Sequence, residues 1–151
     1  MAKNLVHLSQ ANHNEQAAKS FLQDTPYHDW AITAAFYASI HFFEWFLTFK
    51  KYQHSETSIP TNSDGKFFYT VHAWREKLIK ELINDQYAFK AFRKLRIASE
   101  HVRYLSLLQP SLSFQPLDKP AFEFYDLEDA SALINNNLAI IKKALQVPIS
   151  V

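Results

Sequence analysis

The chain has 151 residues with 16 basic and 15 acidic side chains, so its formal net charge is +1. This length predicts one domain spanning residues 1–151, and the near-zero charge gives no global attraction to nucleic acid or to a membrane. The chain has no cysteine and one glycine, which excludes disulfides, thiol nucleophiles and glycine-rich phosphate loops. It contains no long apolar run and no secretory signal core, so we expect a cytoplasmic protein without a membrane partner.

Two helices are predicted in the first third of the chain. A tail over residues 1–9 precedes a weak helix over residues 10–24. Thr25 and Pro26 are typical of an N-cap and of the first helical position, so they predict where the second helix begins. The second helix continues to about residue 51 and is apolar on nearly all sides, which predicts a central position. Its aromatic stripe is expected in the core: Trp30, Tyr37 and Trp45.

Three further helices are predicted after a polar loop over residues 52–66. They cover about residues 66–84, residues 86–107 and the segment from the Asp126 cap to Pro148. A proline-rich loop over residues 108–125 separates the last two, and loops of this length are often lids or binding segments. The predicted fold class is therefore all-α: one antiparallel up-and-down bundle of four to five helices.

The spacing of histidines argues against a metal centre. Two ligands on one helical face need a separation of three or four residues, and no two of the seven histidines have it. The Glu-x-x-His motif of di-iron bundles does not occur. His41 and Glu44 are three residues apart and are interpreted as a buried hydrogen-bonded couple. The sequence thus predicts neither a metal nor a cofactor.

Charged residues are segregated along the chain. Residues 86–105 carry one acidic and five basic side chains, whereas residues 118–129 carry one lysine and five acidic side chains. Two interpretations stay open: the acidic segment folds across the basic helix and neutralises it, or the basic helix contacts phosphates. The basic residues are Lys90, Arg93, Lys94, Arg96 and Arg103.

Two sets of residues on the basic helix are candidates for a site. Arg96 and His101 are separated by four residues and could cleave RNA without a metal, with the imidazole moving a proton and the guanidinium holding the phosphate. On a straight helix they lie on opposite flanks of the apolar stripe, so joining them needs a kink or a second protomer. Arg96, Ser99 and Arg103 fall within about 60° of one another and form a better anion site.

A third candidate lies between the second and third helices. Arg75 is on the inward side of the third helix, where a buried guanidinium needs an anionic partner. Glu44 on the central helix is the obvious carboxylate. We interpret Glu44 and Arg75 as a buried structural ion pair, with a phosphate site as the alternative.

Several motifs together resemble the HEPN family over residues 10–145. They are Tyr37-Ala-Ser-Ile-His41 in the second helix, His72-Ala-Trp-Arg75 in the third, and the run from Leu95 through Ser99 to Arg103-Tyr104 in the fourth. The resemblance implies a helical homodimer. In the ribonuclease members an arginine and a histidine from each protomer line a shared cleft, which here implies Arg96 and His101. Other members are non-catalytic partners of small nucleotidyltransferases in toxin–antitoxin pairs.

Three functions are therefore carried forward. The leading expectation is a HEPN-like module that binds RNA or a nucleotide, in a toxin–antitoxin or stress-response system. The first alternative is a metal-independent endoribonuclease that uses Arg96 and His101 at a dimer cleft. The second alternative is a non-catalytic assembly protein.

Overall fold

The computed structural model describes residues 2–23, 25–108, 114–116 and 118–149. Two strands, β1 (Ser106–Leu108) and β2 (Phe114–Pro116), form a short antiparallel ribbon in which Leu107 pairs with Gln115. Helices make up nearly all the other regular structure, so the predicted all-α class is confirmed. They are α1 (Ala2–Phe21), α2 (His28–Phe49), a 3-10 turn (Ser55–Thr57), α3 (Val71–Leu82), α4 (Gln86–Tyr104), α5 (Ala121–Phe124) and α6 (Leu127–Ala144).

Helix α2 is central, as its apolar composition predicts. It contacts α1, α4 and α6, and its buried side chains include Phe42, Phe43 and Leu47, which have no exposed surface. The predicted aromatic stripe is only partly in the core: Trp45 is buried, whereas Trp30 is 55% exposed. Trp30 lies in the first turn of α2 on its exposed side, although Ala31 and Ile32 beside it have no exposed surface, so the expectation of a core position was wrong there.

Side-chain caps fix where the helices around α2 begin. The Asp85 carboxylate accepts hydrogen bonds from the backbone N–H groups of Tyr87 and Ala88 at the start of α4. Asp126 accepts from the N–H of Asp129 at 2.7 Å and caps α6, as predicted. Between the far ends, Lys142 of α6 donates to the buried Glu15 of α1 at 3.0 Å. The caps thus fix the starts of α4 and α6, and the ion pair of Lys142 with Glu15 joins α6 to α1.

Several predicted boundaries differ from the structure: α3 begins at Val71 and not near residue 66, and α4 ends at Tyr104 and not at residue 107. Residues 2–9 continue α1 and are not a tail, because His7 and Leu8 have partners in the rest of the fold. Thr25 does not cap α2: its hydroxyl donates to the carbonyl of Phe21, so it closes α1, and α2 begins at His28. The predicted loop over residues 108–125 contains, in its described part, strand β2 and the single turn α5.

Candidate functional site

The predicted pair of Glu44 and Arg75 is present and buried. The guanidinium Nε of Arg75 lies 3.1 Å from Glu44 Oε1 and 2.9 Å from the Ser55 hydroxyl, and its Nη2 lies 3.2 Å from Glu56 Oε1. Ser55 also donates its hydroxyl and its backbone N–H to the Glu44 carboxylate. Glu44 is 1% exposed and Arg75 is 8% exposed. This network is fully partnered, which is what a buried ion pair needs in order to be tolerated.

Arg96 is also held by carboxylates. Its Nε lies 2.6 Å from Glu76 Oε1 of α3, and its Nη1 lies 2.9 Å from Glu100 Oε1, one turn further along α4. Burial on its own lowers the pKa of Arg96, but the hydrogen bonds and charges of Glu76 and Glu100 outweigh it and raise the pKa. The positive charge of Arg96 is therefore neutralised within the chain. Its expected role in an anion site is not supported by this geometry.

His101 lies on the other flank of α4. Its Nδ1 is 2.5 Å from the hydroxyl of Tyr125, and its ring is edge-on to Phe124. Burial lowers the pKa of His101 and raises the pKa of Tyr125 to about 12. The Tyr125 hydroxyl therefore stays protonated; it donates to Nδ1 in one neutral tautomer of the imidazole and accepts from Nδ1 in the other. This contact attaches the junction of α5 and α6 to α4.

The structure does not bring Arg96 and His101 together within one chain. Arg96 faces α3, through Glu76, whereas His101 faces the α5–α6 junction, through Tyr125. Their separation is the one that helical geometry predicts for residues on opposite flanks of a stripe. A cleft that uses both would have to take one of them from a second protomer.

The predicted anion trio of Arg96, Ser99 and Arg103 is reduced to one member. Ser99 has no exposed surface, and its hydroxyl has no hydrogen-bond partner among the described residues. A ligand could reach this hydroxyl only by displacing packed helices. Arg96 is neutralised as described above. Arg103 is left as the member that can contact a ligand.

Arg103 lies between two tyrosine rings. Its guanidinium carbon is 4.9 Å from the ring centre of Tyr104 and 5.9 Å from that of Tyr37 on α2. Its hydrogen bonds to both tyrosine hydroxyls and to the Ser99 carbonyl are long, at 3.4 Å. No carboxylate pairs with Arg103 in the part of the chain that the structure describes. We call Arg103, Tyr37 and Tyr104 the Arg103 site.

His72 of α3 stands near this site. Its ring lies against Phe36, the neighbour of Tyr37, with ring centres 5.4 Å apart. Burial lowers the pKa of His72, and the positive charges of Arg75 and Arg103 lower it further. The imidazole is therefore neutral at pH 7, so it adds no positive charge beside Arg103.

The acidic segment does not neutralise α4 through ion pairs. Among the residues that the structure describes, no carboxylate of residues 118–129 is within ion-pair distance of a basic side chain of α4. Lys90, Arg93 and Lys94 are exposed. Of the two interpretations of the segregated charge, the geometry favours a basic helix that is open to an outside anion.

A cluster of three histidines was missed by the sequence analysis. His41 does not pair with Glu44 as expected: its Nδ1 lies 3.1 Å from Nδ1 of His7, and Glu44 instead accepts from His54 at 3.2 Å. The cluster was missed because residues 1–9 were taken as a tail, which removed His7 from consideration. Across the described residues, no group of three or more histidine or carboxylate side chains is arranged to hold a metal ion.

Comparison of the chain with protein-family models, with curated proteins and with solved structures yields no match. The resemblance to HEPN proteins therefore stays a prediction carried by the quoted motifs alone. None of the helices in the described part of the chain has the length and apolarity needed to span a bilayer.

Proposed function

We propose that this protein is a HEPN-like module that binds RNA or a nucleotide, and that Arg103 holds the phosphate. The proposal includes the antiparallel up-and-down bundle and the homodimer that the resemblance implies. It also includes a place beside a small nucleotidyltransferase in a toxin–antitoxin or stress-response system.

The environment of Arg103 carries the proposal. A guanidinium that is not paired with a carboxylate keeps N–H donors for an anion, and its planar fork matches two phosphate oxygens. Two tyrosine faces hold it in place without consuming its charge. Tyr104 is 63% exposed, so its ring is accessible to a stacking base. Phosphate and base would thus be bound by adjacent residues of one helix.

The other exposed cations of α4 do not all share the face of Arg103. At about 100° per residue, Arg93 lies within about 80° of Arg103 around the helix axis, whereas Lys90 and Lys94 lie on the other side of the helix. A ligand that contacts Arg93 as well as Arg103 would be a polyanion such as single-stranded RNA and not a lone mononucleotide, because each neutralised phosphate adds to the affinity and to its salt dependence. The mononucleotide and the polymer therefore differ in the predicted slope of affinity against salt.

The direct test is fluorescence anisotropy with a labelled single-stranded RNA and a labelled ATP analogue, at several salt concentrations and with a chelator present. Arg103→Gln should weaken binding about tenfold and reduce the salt slope by about one unit. Lys143→Gln removes the same charge from an exposed position on α6 and should leave binding unchanged. No binding at low salt, or equal losses in the two variants, would contradict the proposal.

The same experiment separates the two alternatives. If wild-type protein cleaves the RNA with chelator present and His101→Ala does not, the endoribonuclease hypothesis with Arg96 and His101 from two protomers gains its support. If neither binding nor cleavage occurs, and light scattering shows a stable oligomer, the assembly-protein hypothesis is favoured. Within one chain, Arg96 is bound to Glu76 and His101 to Tyr125. These existing contacts favour binding over cleavage.

A further inference from the structure

Three histidines from three separate segments meet beside the C-terminal half of α2. His7 belongs to α1, His41 to α2, and His54 precedes the 3-10 turn. The ring of His7 is stacked on that of His41 with centres 5.3 Å apart, and its centre is 5.2 Å from that of His54. An open cleft lies beside them, lined by Val6, His7, Thr48, Tyr52 and His54. We call the three side chains the histidine cluster.

The hydrogen bonds fix how many protons the cluster can carry. Nδ1 of His54 accepts from the backbone N–H of Glu56 at 3.2 Å, and its Nε2 lies 3.2 Å from Glu44. An imidazole that accepts at one nitrogen and donates at the other is neutral. Between His7 and His41 the two Nδ1 atoms are 3.1 Å apart, so one must donate and the other accept. The accepting ring is neutral too, so at most one of the three rings can be charged.

The charged groups around the cluster do not offset a second proton. Burial is the main cause that lowers the pKa of His7, and His54 lowers it further. Burial is also the main cause that lowers the pKa of His41, and His7 lowers it further. Arg75 acts in the same direction, while Glu44 and Glu56 oppose it. Both carboxylates already bind Arg75, which limits how much they can stabilise an imidazolium.

Apolar burial does little to hold α1 at the residues just before His7. Leu5 and Val6 are 65% and 64% exposed, so these two side chains bury little apolar surface. Further along α1, Leu8 packs against the core and Ala11 has no exposed surface. A loss of the histidine contacts would therefore release the helix only up to about Leu8.

We propose that the histidine cluster is an acid-sensitive latch that holds the start of α1 against α2 and the 3-10 turn and opens the adjacent cleft when a second imidazole takes up a proton. The opened cleft exposes to solvent the side of the Glu44 network that contacts His54. This device is independent of the Arg103 site, which lies on α4, so either proposal can fail without the other.

Hydrogen exchange followed by mass spectrometry tests the latch. With exchange corrected for the intrinsic effect of pH, opening linked to the uptake of one proton should increase about tenfold per pH unit below pH 6.5. The increase should be confined to the start of α1, with α2 and α6 unchanged between pH 7.5 and pH 5.5.

Two variants on α1 provide the matched comparison. His7→Gln keeps a side chain that can hydrogen-bond His41 but cannot be charged, so its exchange should not change with pH. His13→Gln removes an exposed histidine from the same helix and should respond like wild type. The latch is overturned if wild-type exchange at the start of α1 is the same at both pH values, if His7→Gln responds like wild type, or if all helices lose protection together.

Discussion

Arg75 and Arg103 have different surroundings, and these decide whether the charge of the guanidinium is used within the fold or is left for a ligand. Arg75 on α3 is buried and contacts two carboxylates and a hydroxyl. Arg103 on α4 is half-buried between two tyrosine rings, and no carboxylate in the described part of the chain reaches it. The first arrangement uses the charge to join the core to a loop, and the second leaves it for a ligand. The substitutions below test this contrast, starting with the largest expected effect.

Removing the partner of Arg75 should cost the most. Glu44→Gln leaves a buried guanidinium without its main counter-charge, which typically costs about 3–5 kcal/mol of unfolding free energy. Urea denaturation followed by circular dichroism measures it. The matched control is Glu81→Gln, whose exposed pair with Lys77 should contribute little. If the Glu44 variant loses no more than this control, the network is not what holds the 3-10 turn to α2.

Arg96 is intermediate between the two sites, because it is paired but lies nearer the surface. Its side chain is 15% exposed and its bonds to Glu76 and Glu100 are both charged. Arg96→Gln should therefore cost about 2 kcal/mol, the magnitude of hydrogen bonds to charged groups. Arg93→Gln, at an exposed position of the same helix, serves as the control in the same urea titration. Equal stability of the two variants would mean that the ion pairs of Arg96 do not stabilise the fold. Arg96 would then again be a candidate for binding an anion.

The contact between His101 and Tyr125 gives a smaller effect that depends on pH. Tyr125→Phe removes one hydrogen bond, which is worth about 1 kcal/mol at pH 7.5. Burial lowers the pKa of His101 in the folded state, so the contribution of the neutral imidazole is complete above its unfolded pKa of about 6.5 and declines as the pH falls below it. Wild type and Tyr125→Phe both keep His101, so both should lose stability between pH 7.5 and pH 5.5, whereas His101→Gln should lose less.

The control for this measurement is Tyr87→Phe, because Tyr87 is 64% exposed. It should leave both stability and its pH dependence unchanged. A loss of stability between pH 7.5 and pH 5.5 that is as large in His101→Gln as in wild type would show that His101 is not the group that takes up the proton.

Sequence reasoning reached the pair of Glu44 and Arg75 but not the surroundings of Arg103. An inward-facing arginine demands a carboxylate, and one lay on the adjacent central helix, so the pairing followed from burial alone. The pairing of Arg96 with Glu100 can be read from their spacing of one helical turn. The contacts of Glu76 and Tyr37 cannot, because which face of α4 meets α2 and α3 is set by tertiary packing.

The fold was predictable to a similar depth. The apolar pattern of α2 predicted its central position, and the cap at Asp126 predicted the start of α6. The start of α1 was not predictable, because Leu5 and Val6 are exposed, and the contact that holds this part of the helix joins His7 to His41 across 34 residues. Contacts between distant segments leave no periodic signal in the sequence.

The smallest effect on stability is expected where the effect on binding is largest. Arg103→Gln removes three long hydrogen bonds and a cation above tyrosine faces at a half-buried position, so stability should change by no more than about 0.5–1 kcal/mol. The same variant should lose about tenfold in RNA affinity. Glu44→Gln should show the reverse: a large loss of stability, with affinity retained at temperatures where it is folded. Urea titration gives the loss of stability of each variant, and anisotropy gives its loss of RNA affinity. If the two losses stand in a similar ratio in both variants, the contrast between a structural and a ligand-binding arginine does not hold.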